Sequence, residues 1–368
     1  MGLIVSETPC LRIPKHQGEK GLALVKRMGI FNPEFRIQRE KNCLCVPLLR
    51  EPLATELQQL RMTLAEFEVC VRPFLERVEP QPKLIDLLGE KLPPHVLASL
   101  PHAIDFMGDV AIVEIAPELK SYKRIIGDAI LMAHKRVRTV LAKAGAVSGE
   151  YRLREFEVVA GIEKTETVHR EHGCVFHVDL AKAYFSPRLS HEHLRVASQV
   201  REDETVLDMF AGVGPFSILT AVKREKVRVY AVDVNPHAFE YLKRNVAANR
   251  VETKVTPILG DIGTVVEERL KGLFDRVIMN LPERAMEYVD VACKALKPEG
   301  GIMHYYEFSS EPSPMETVKT RLAETLKKAG WETSKVLLTR MVRETAPYTY
   351  QVVVDAKVRR VSPPSGLS

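Results

Sequence analysis

Acidic residues and glycines recur where buried strands are expected to end, an arrangement that suits a nucleotide-like ligand. Asp208 ends a short apolar run, and Gly212 and Gly214 then allow a tight turn before a helix that begins at Pro215. In open α/β sheets, ligands lie beyond the strand ends, against the start of such a helix. The spacing therefore predicts a binding crevice at this turn.

Two further acids end the next two predicted strands. Asp233 is placed to accept both hydroxyl protons of a ribose, although capping the following helix is its alternative role. Asp261 ends the third strand, where its carboxylate or a neighbouring amide can meet an adenine amino group. Because carboxylates surround the crevice, it suits a positively charged ligand better than a phosphate.

The stretch Asp208-Met-Phe-Ala-Gly-Val-Gly-Pro-Phe-Ser217 resembles the first motif of class I S-adenosylmethionine (AdoMet) methyltransferases. The resemblance implies that AdoMet, which carries a sulfonium cation and no phosphate, binds at the glycine turn. A dinucleotide fingerprint would instead need a third glycine, where this sequence has Ser217.

A second motif, Asn280-Leu-Pro282, ends the fourth predicted strand. It resembles the N-P-P-aromatic tetrapeptide of enzymes that methylate amino groups, but Leu281 takes the middle place and Glu283 replaces the aromatic residue. This departure argues against a substrate with an exocyclic amine. The other interpretation is that these residues only end the strand and begin a loop.

Six ordered motifs together resemble the archaeal-type tRNA (guanine position 37, N-1)-methyltransferases, the monomeric and unknotted family shared by archaea and eukaryotes. The likeness extends over the whole chain and is strongest between residues 149 and 347. The motifs are Gly149-Glu-Tyr-Arg-Leu-Arg154, Val178-Asp-Leu-Ala-Lys-Ala-Tyr-Phe-Ser-Pro-Arg188, Asp208-Met-Phe-Ala-Gly-Val-Gly-Pro-Phe-Ser217, Asp233-Val-Asn-Pro-His237, Asn280-Leu-Pro282 and His304-Tyr-Tyr306.

This resemblance implies a role for each matching residue. Glu192 is implied as the general base that takes the proton from guanine N-1, and Arg152 as the group that stabilises O-6. Asn280 would hold the target base and the cofactor, Pro282 would shape the loop, and Tyr184 would line the pocket. The residues expected to contact AdoMet are His193, Phe210, Gly212, Gly214, Asp233, Val234, Asp261, Ile262 and Asn280.

The chemistry gives independent support to the two central roles. Neutral guanine N-1 carries a proton, and a carboxylate that removes it as the methyl group moves can supply roughly 10²–10⁴ in rate. The charge left behind spreads onto O-6, where an arginine, always protonated and offering two parallel donors, is most useful. Other interpretations stay open: Glu192 pairs with Arg188 or Arg195 on a helix surface, and Arg152 is a charge at a strand edge.

The predicted elements divide the chain into a small N-terminal tRNA-binding α/β domain (1–70), a middle α/β domain (71–174) and an AdoMet-binding catalytic domain (175–368). The last is predicted to be a class I methyltransferase Rossmann-like sheet with an antiparallel edge at 336–341 and 348–358. In the middle domain, the pattern predicts one strand at 106–115 and one long basic amphipathic helix at 119–144. A proline-spaced linker (78–83) and a loose tail (359–368) are also expected.

Composition sets broad limits on partners and location. The net charge of +5 is compatible with nucleic acid without requiring it, and 45% hydrophobic residues suffice for real cores. No apolar run is long enough to cross a membrane and no secretion signal is evident, so a cytoplasmic location is expected. The resemblance implies a monomer. Only Cys43 and Cys45 lie close together, and no second pair or histidine cluster completes a zinc set, so no metal is expected.

The expected partner is tRNA. Its target base lies in the anticodon loop and must turn out to reach the methyl group. The basic middle helix and the N-terminal domain are expected to contact the RNA backbone, and the resemblance implies that the N-terminal domain reads the outer corner of the tRNA.

Two other functions remain under consideration. A related transferase moves the aminocarboxypropyl arm of AdoMet onto a tricyclic, wyosine-type derivative of the same base, and some relatives methylate that intermediate, so dual activity stays open. The third hypothesis is a tRNA-binding protein with a vestigial cofactor fold. The intact glycine turn, the acids at the strand ends and the candidate base argue against it.

Overall fold

The computed structural model describes residues 5–75, 82–101, 103–145, 149, 151–310 and 312–361. Most of the predicted linker and of the predicted tail lies outside these residues. The chain forms two compact units, Met1–Gln81 and Pro82–Ser368.

The first unit contains an antiparallel four-stranded sheet in the order β2-β3-β1-β4. Residues such as Leu11, Leu24 and Leu60 form its apolar core, which joins the sheet to two helices. The elements are β1 (Val5–Pro14), α1 (Gly18–Arg27), β2 (Gln38–Arg39), β3 (Cys43–Pro47), α2 (Ala54–Thr63) and β4 (Glu68–Leu75).

The second unit begins with a four-stranded sheet in the order β5-β6-β7-β8, followed by the antiparallel hairpin β9–β10. In the four-stranded sheet only β6 and β7 run parallel, and α5 connects them. The elements are α3 (Leu84–Leu88), α4 (Pro94–Leu97), β5 (Ile104–Met107), β6 (Val110–Val113), α5 (Lys123–Ala133), β7 (Thr139–Lys143), β8 (Phe156–Gly161), β9 (Glu166–Glu171) and β10 (Cys174–Asp179).

Two predictions in this region were wrong. The single strand expected at 106–115 is a hairpin, because Gly108 adopts a left-handed φ of 55° and turns the chain between β5 and β6. The long helix expected at 119–144 ends at Ala133, and residues 139–143 form β7 instead. Thr139, Val140 and Leu141 are fully buried there, and β-branched residues favour a strand that pairs with β6.

A seven-stranded sheet dominates the rest of the second unit, in the order β13-β12-β11-β14-β15-β17-β16. The first five strands are parallel and the last two antiparallel, which confirms the predicted Rossmann-like sheet and its edge. Its strands are β11 (Thr205–Asp208), β12 (Arg228–Asp233), β13 (Val255–Leu259), β14 (Arg276–Met279), β15 (Gly301–Ser309), β16 (Trp331–Ala346) and β17 (Thr349–Arg360). Its helices are α6 (Ser190–Gln199), α7 (Pro215–Lys223), α8 (Pro236–Ala248), α9 (Ile262–Val265), α10 (Val289–Ala295) and α11 (Pro314–Lys328).

Apolar layers cover both faces of this sheet. Leu207, Val277 and Met303 point into one core, and Val206 and Ile278 into the other. All four residues of β11 and of β14 are buried, as expected for central parallel strands. The carboxyl ends of β11 to β14 therefore meet at one edge of a rigid layer.

The predicted domain boundaries fall at β4, which contains residue 70, and at the first residue of β10. The three-domain division stays a prediction. Among the described residues, no helix is long and apolar enough to span a membrane.

Candidate active site

The predicted glycine turn lies at the end of β11. Gly212 and Gly214 have φ of 55° and 93°, and Pro215 is the first residue of α7. A Cβ on Gly214 would lie 2.5 Å from Leu242 Cδ1, whereas one on Gly212 would have room. Only glycine at 214 fits both the backbone angle and the packing, so α7 can start directly behind the strand ends.

Asp233 at the end of β12 is tied to this turn. Its carboxylate accepts hydrogen bonds from the amides of Gly212 (2.6 Å) and Asn235 (2.9 Å). The cap of α8 is Asn235, whose side chain accepts from the amide of His237 at 3.0 Å. The alternative role of Asp233 as the helix cap was therefore wrong. Burial raises the pKa of Asp233, although both amides favour its ionised form.

A cavity of about 100 Å³ opens beyond these strand ends, and we call it the strand-end cavity. Tyr288 was missed by the sequence reasoning; its ring packs edge-on against Phe210, with ring centroids 5.1 Å apart. Predicted cofactor residues on the cavity wall are Phe210, Gly212, Asp233, Val234, Asp261, Ile262 and Asn280.

Asp261 has a second task beside the cavity. Its Oδ1 accepts from the amide of Thr264 (3.0 Å) and so caps α9. The residue remains exposed, so its position on the cavity wall is open to a ligand.

The other two predicted cofactor residues, Gly214 and His193, do not line the strand-end cavity. His193 is 2% exposed, and its Nδ1 lies 2.7 Å from Glu171 Oε1. Its ring packs edge-on against Phe216 in the first turn of α7. The structure gives His193 a packing role and does not bring it to the place predicted for the cofactor.

The buried acid Asp208 lies at the end of β11, before the glycine turn. Ser217 Oγ donates to its Oδ2 at 2.7 Å, while Oδ1 lacks a hydrogen-bond partner among the described residues. Burial, assisted by nearby Asp233, raises the pKa of Asp208 to about 7. Asp208 does not itself line the strand-end cavity; Asp233 and Asp261 on its wall, together with the glycine turn, fit a ligand that carries positive charge.

We expect Asp208→Asn to change how stability depends on pH. The folded-state pKa of about 7 lies above the ordinary value of 3.8, so the stability linked to this group is complete below about pH 4 and is lost as the pH rises to 7. Asparagine keeps an acceptor for Ser217 but cannot ionise. Denaturant unfolding from pH 5 to 8 should show the free energy of unfolding of the variant rising relative to that of the wild type by about 1.4 kcal/mol for each pH unit up to about pH 7, and staying level above it. A constant difference would contradict this.

A second cavity, of about 390 Å³, lies beside the first, and we call it the basic cavity. Arg152 and Tyr184 line both cavities, so the two meet at these side chains. Arg188 on its wall forms a bidentate salt bridge with Asp105, with N–O distances of 2.7 and 2.9 Å. The basic side chains on the wall are Lys143, Arg152, Arg154, Arg188 and Arg343.

Arg152 lies in a turn, with its amide 3.1 Å from the oxygen of Gly149 and a left-handed φ of 54°. The strand-edge interpretation was therefore wrong. Its guanidinium lies 4.8 Å from the centre of the Tyr184 ring and donates to Glu283 Oε1 at 3.1 Å. Its Nε is buried and has no partner among the described residues. Such a backbone conformation costs energy for a residue that carries a Cβ, and strained residues of this kind cluster at functional sites.

The loop 280–282 is anchored from both ends. Asn280 Oδ1 accepts from Gln351 Nε2 at 3.1 Å, and the oxygen of Pro282 accepts from the amide of Phe308 at 3.1 Å. These contacts hold Asn280 on the wall of the strand-end cavity, close to Arg152 and Tyr184.

Glu192 lines neither cavity. It is 1% exposed, and its Oε1 accepts from Tyr306 Oη (2.9 Å) and from Arg195 Nε (2.8 Å), while Oε2 pairs with Arg340. The interpretation that Glu192 pairs with Arg195 is confirmed, but the pair is buried and does not lie on a helix surface. The pair with Arg188 does not form, because Arg188 binds Asp105.

A buried polar chain continues from this cluster. Arg195 binds Asp355, Asp355 lies 2.7 Å from His304 Nδ1, and Arg276 Nη1 lies 2.8 Å from His304 Nε2. Burial lowers the pKa of His304, and because arginine only donates, Nε2 accepts and Nδ1 carries the proton. Glu204 completes the chain by accepting from Arg276 Nε at 2.7 Å. The chain explains why histidine and tyrosine occur together in the motif at 304–306.

Sheet register relates the partners of Glu192 to the basic cavity. Phe308 on the cavity wall pairs with Gln351, and Tyr306, which holds Glu192, pairs with Val353 in the next row on the same face. Two residues along a strand span about 7 Å. Tyr306 and Arg340, which hold the Glu192 carboxylate, thus come from the row next to the one that lines the cavity.

Comparisons with known proteins show which families share this arrangement. The model of the TRM5/TYW2 methyltransferase domain matches residues 167–334. A model of the TYW2 N-terminal domain matches 84–165, and a model of the tRNA methyltransferase 5 N-terminal domain matches 10–56.

Individual relatives cover most of the chain. The tRNA (guanine(37)-N(1))-methyltransferase Trm5b of Pyrococcus abyssi is 38% identical, over 95% of this chain and 99% of its own. The tRNA(Phe) (4-demethylwyosine(37)-C(7)) aminocarboxypropyltransferase of Pyrococcus horikoshii is 32% identical, over 76% and 97%. The crystal structure of wild-type Trm5b from Pyrococcus abyssi superposes with a TM-score of 0.69 at 37% identity, over 96% and 99%. A solved complex of aTrm5 with tRNALeu gives 0.66 at 32% identity, over 95% and 99%.

Proposed function

The chain belongs to the TRM5/TYW2 methyltransferase family, and on this basis we propose that it transfers the methyl group of AdoMet to N-1 of guanine at position 37 of tRNA. Relatives that match almost end to end carry that activity in their names. The observation that carries the proposal is that the strand-end cavity and the basic cavity meet at Arg152 and Tyr184. A cofactor in the first cavity and a base in the second would meet at the same point.

The strand-end cavity is our proposed AdoMet site. Asp233 would accept from the ribose hydroxyls, the turn at Gly212 and Gly214 would support the backbone of the ligand, and Asp261 with Ile262 would flank the adenine. The bound cofactor supplies a methyl group activated by a sulfonium. The carboxylates of Asp233 and Asp261 on the cavity wall favour that positive charge electrostatically.

Arg152 is the proposed stabiliser of guanine O-6. Its guanidinium has one buried donor, Nε, with no partner among the described residues, and a second donor that is bonded to the half-exposed Glu283. A substrate oxygen can therefore accept from the guanidinium without breaking a contact of the core. Tyr184 supports the guanidinium from its ring face. Asn280 lies on the adjoining wall, where it can hold the base against the cofactor.

Glu192 is the proposed general base, and its position sets a condition on that role. Glu192 lines neither cavity and both of its carboxylate oxygens have donors, so it must exchange one of these donors for the N-1 proton. Arg340 is the partner best able to leave, because its side chain is 41% exposed whereas that of Arg195 is 16% exposed. A phosphate of the bound RNA would attract Arg340 and release one carboxylate oxygen.

We extend the proposal to partners and setting. The basic cavity would receive the anticodon loop, and the N-terminal domain would contact the outer corner of the tRNA. The division into domains 1–70, 71–174 and 175–368, a monomeric state and a cytoplasmic location also belong to this proposal.

Product mapping tests the reaction directly. A tRNA transcript with guanosine at position 37 is incubated with the protein and AdoMet labelled in the methyl group, and the modified nucleotide is identified by mass spectrometry. We expect N-1-methylguanosine at position 37 and nowhere else. A methyl group on another atom or nucleotide would refute the proposal.

The second candidate is transfer of the aminocarboxypropyl arm to a tricyclic derivative of the same base, or methylation of that derivative. It is favoured by the match of residues 84–165 to the TYW2 N-terminal model and by the relative from Pyrococcus horikoshii. AdoMet labelled in its carboxyl group transfers label only in the first of these reactions. Calorimetric titration with AdoMet addresses the vestigial hypothesis, which saturable binding would exclude.

We expect Asp233→Asn to weaken AdoMet binding by roughly 10- to 100-fold, because hydrogen bonds to a charged acceptor contribute about 1.5–3 kcal/mol each. Isothermal titration measures the dissociation constant. Asp290→Asn is the matched control, since Asp290 is exposed on α10 and pairs only loosely with Lys294. Equal dissociation constants for the two variants would remove Asp233 from the proposed site.

A further inference from the structure

The orientation of the Asn280 amide is set by two residues that no motif singles out. Arg343 on β16 and Gln351 on β17 are direct partners in the sheet register. Arg343 Nε donates to Gln351 Oε1 at 2.9 Å, and Gln351 Nε2 donates to Asn280 Oδ1 at 3.1 Å. Gln351 is 1% exposed, so this relay runs through the protein interior.

Hydrogen-bond chemistry allows only one direction for this relay. A guanidinium donates and never accepts, so the side-chain oxygen of Gln351 must face Arg343. The amino group of Gln351 then faces Asn280, which must present its oxygen in return. The group that Asn280 keeps for the cavity is its amino group, a donor.

Arg343 is itself held in place by the rim of the basic cavity. Its Nη1 donates to Ser186 Oγ at 2.9 Å and its Nη2 to Tyr184 Oη at 3.1 Å. Because three acceptors fix the planar guanidinium, Arg343 cannot rotate without breaking several hydrogen bonds. Its positive charge also polarises the amide chain behind it and strengthens each bond.

We propose that Gln351 and Arg343 are positioning residues that make Asn280 a hydrogen-bond donor, and that this selects a target base with an acceptor oxygen at ring position 6. The inference rests on the proposed function, because it assigns how the guanine is recognised. An exocyclic amine at that position is a donor and would face the amino group of Asn280. A keto oxygen at the junction of the two cavities would find donors from both Asn280 and Arg152, which line the same cavity.

Gln351→Glu tests the relay with almost no change in size. A carboxylate still pairs with Arg343 but cannot donate to Asn280, so the Asn280 amide turns and presents its oxygen to the cavity. We expect kcat/KM for a guanosine-37 transcript to fall by about 10- to 100-fold, the usual effect of an unsatisfied buried polar contact. Gln351→Met, which fixes neither orientation, should cause a smaller loss.

A binding preference separates recognition from general structural damage. Dissociation constants are measured for tRNA with guanosine or 2-aminopurine at position 37, since 2-aminopurine lacks O-6. Gln351→Glu should reduce the wild-type preference for guanosine by about tenfold, and Gln351→Met by about threefold. In an Asn280→Ala background, Gln351→Glu should leave the preference unchanged, because Asn280 transmits the effect.

The outcomes distinguish this inference from the function on which it rests. A Gln351→Glu or Gln351→Met protein that keeps the full preference for guanosine overturns the inference, even when the wild type forms N-1-methylguanosine. A wild type that forms no N-1-methylguanosine defeats the proposed function first. A reduced preference in both variants, absent in the Asn280→Ala background, supports the relay.

Discussion

Glu192→Gln should lower the single-turnover rate of N-1 methylation by roughly 10²–10⁴-fold, the contribution usual for a positioned general base. Glutamine has nearly the same size and can still accept from Tyr306 and Arg195, but its amide cannot take up a proton. Single-turnover conditions isolate the chemical step from product release. Dissociation constants for AdoMet and tRNA should change little, because Glu192 lines neither cavity.

Glu307, which follows Tyr306 on β15 and faces the other side of the sheet, offers a matched control. Glu307 is buried and accepts from Tyr305 Oη and from Arg321, each at 2.9 Å, an environment close to that of Glu192 with Tyr306 and Arg195. Glu307→Gln should carry a similar cost in stability and leave the rate within about threefold. Undiminished turnover in Glu192→Gln would remove Glu192 as the base. Equal losses in both variants would make its role structural.

Much of the fold and half of the site follow from local pattern. β11 is a run of buried residues ending in an acid, and Gly214 followed by Pro215 marks the turn because few other residues fit those angles. Asp233 and Asp261 then reach the same edge, since parallel strands place their carboxyl ends together. Local sequence patterns are therefore enough to predict the part of the site that lies at the strand ends.

Other features depend on contacts that sequence spacing does not encode. Arg340 and Arg343 are three residues apart, so simple alternation would place them on opposite faces of β16. A register shift between Met341 and Arg343 lets them pair with Val353 and Gln351, on one face. The ion pair at Glu192 and the relay to Asn280 both depend on this irregularity, which explains why neither was predicted.

Replacing Arg152 with glycine should lower kcat/KM by roughly 10²–10³-fold while the protein stays as stable as the wild type or becomes slightly more stable. Loss of a donor to the developing charge on O-6 has that effect on rate. Stability behaves differently because Arg152 has a φ of 54°, and a side chain in that region costs about 1–2 kcal/mol that glycine avoids. Its pair with Glu283 is partly exposed and contributes little to folding.

An arginine-to-glycine substitution at another position with positive φ separates the relief of backbone strain from the loss of catalysis. Arg250 has a φ of 57° just after α8 and is exposed away from both cavities, so Arg250→Gly should keep full activity. Thermal unfolding and steady-state kinetics on both variants give the comparison. If Arg152→Gly lost stability as well as activity, the strained turn would owe its conformation to packing. If it kept its activity, O-6 would need a partner other than Arg152.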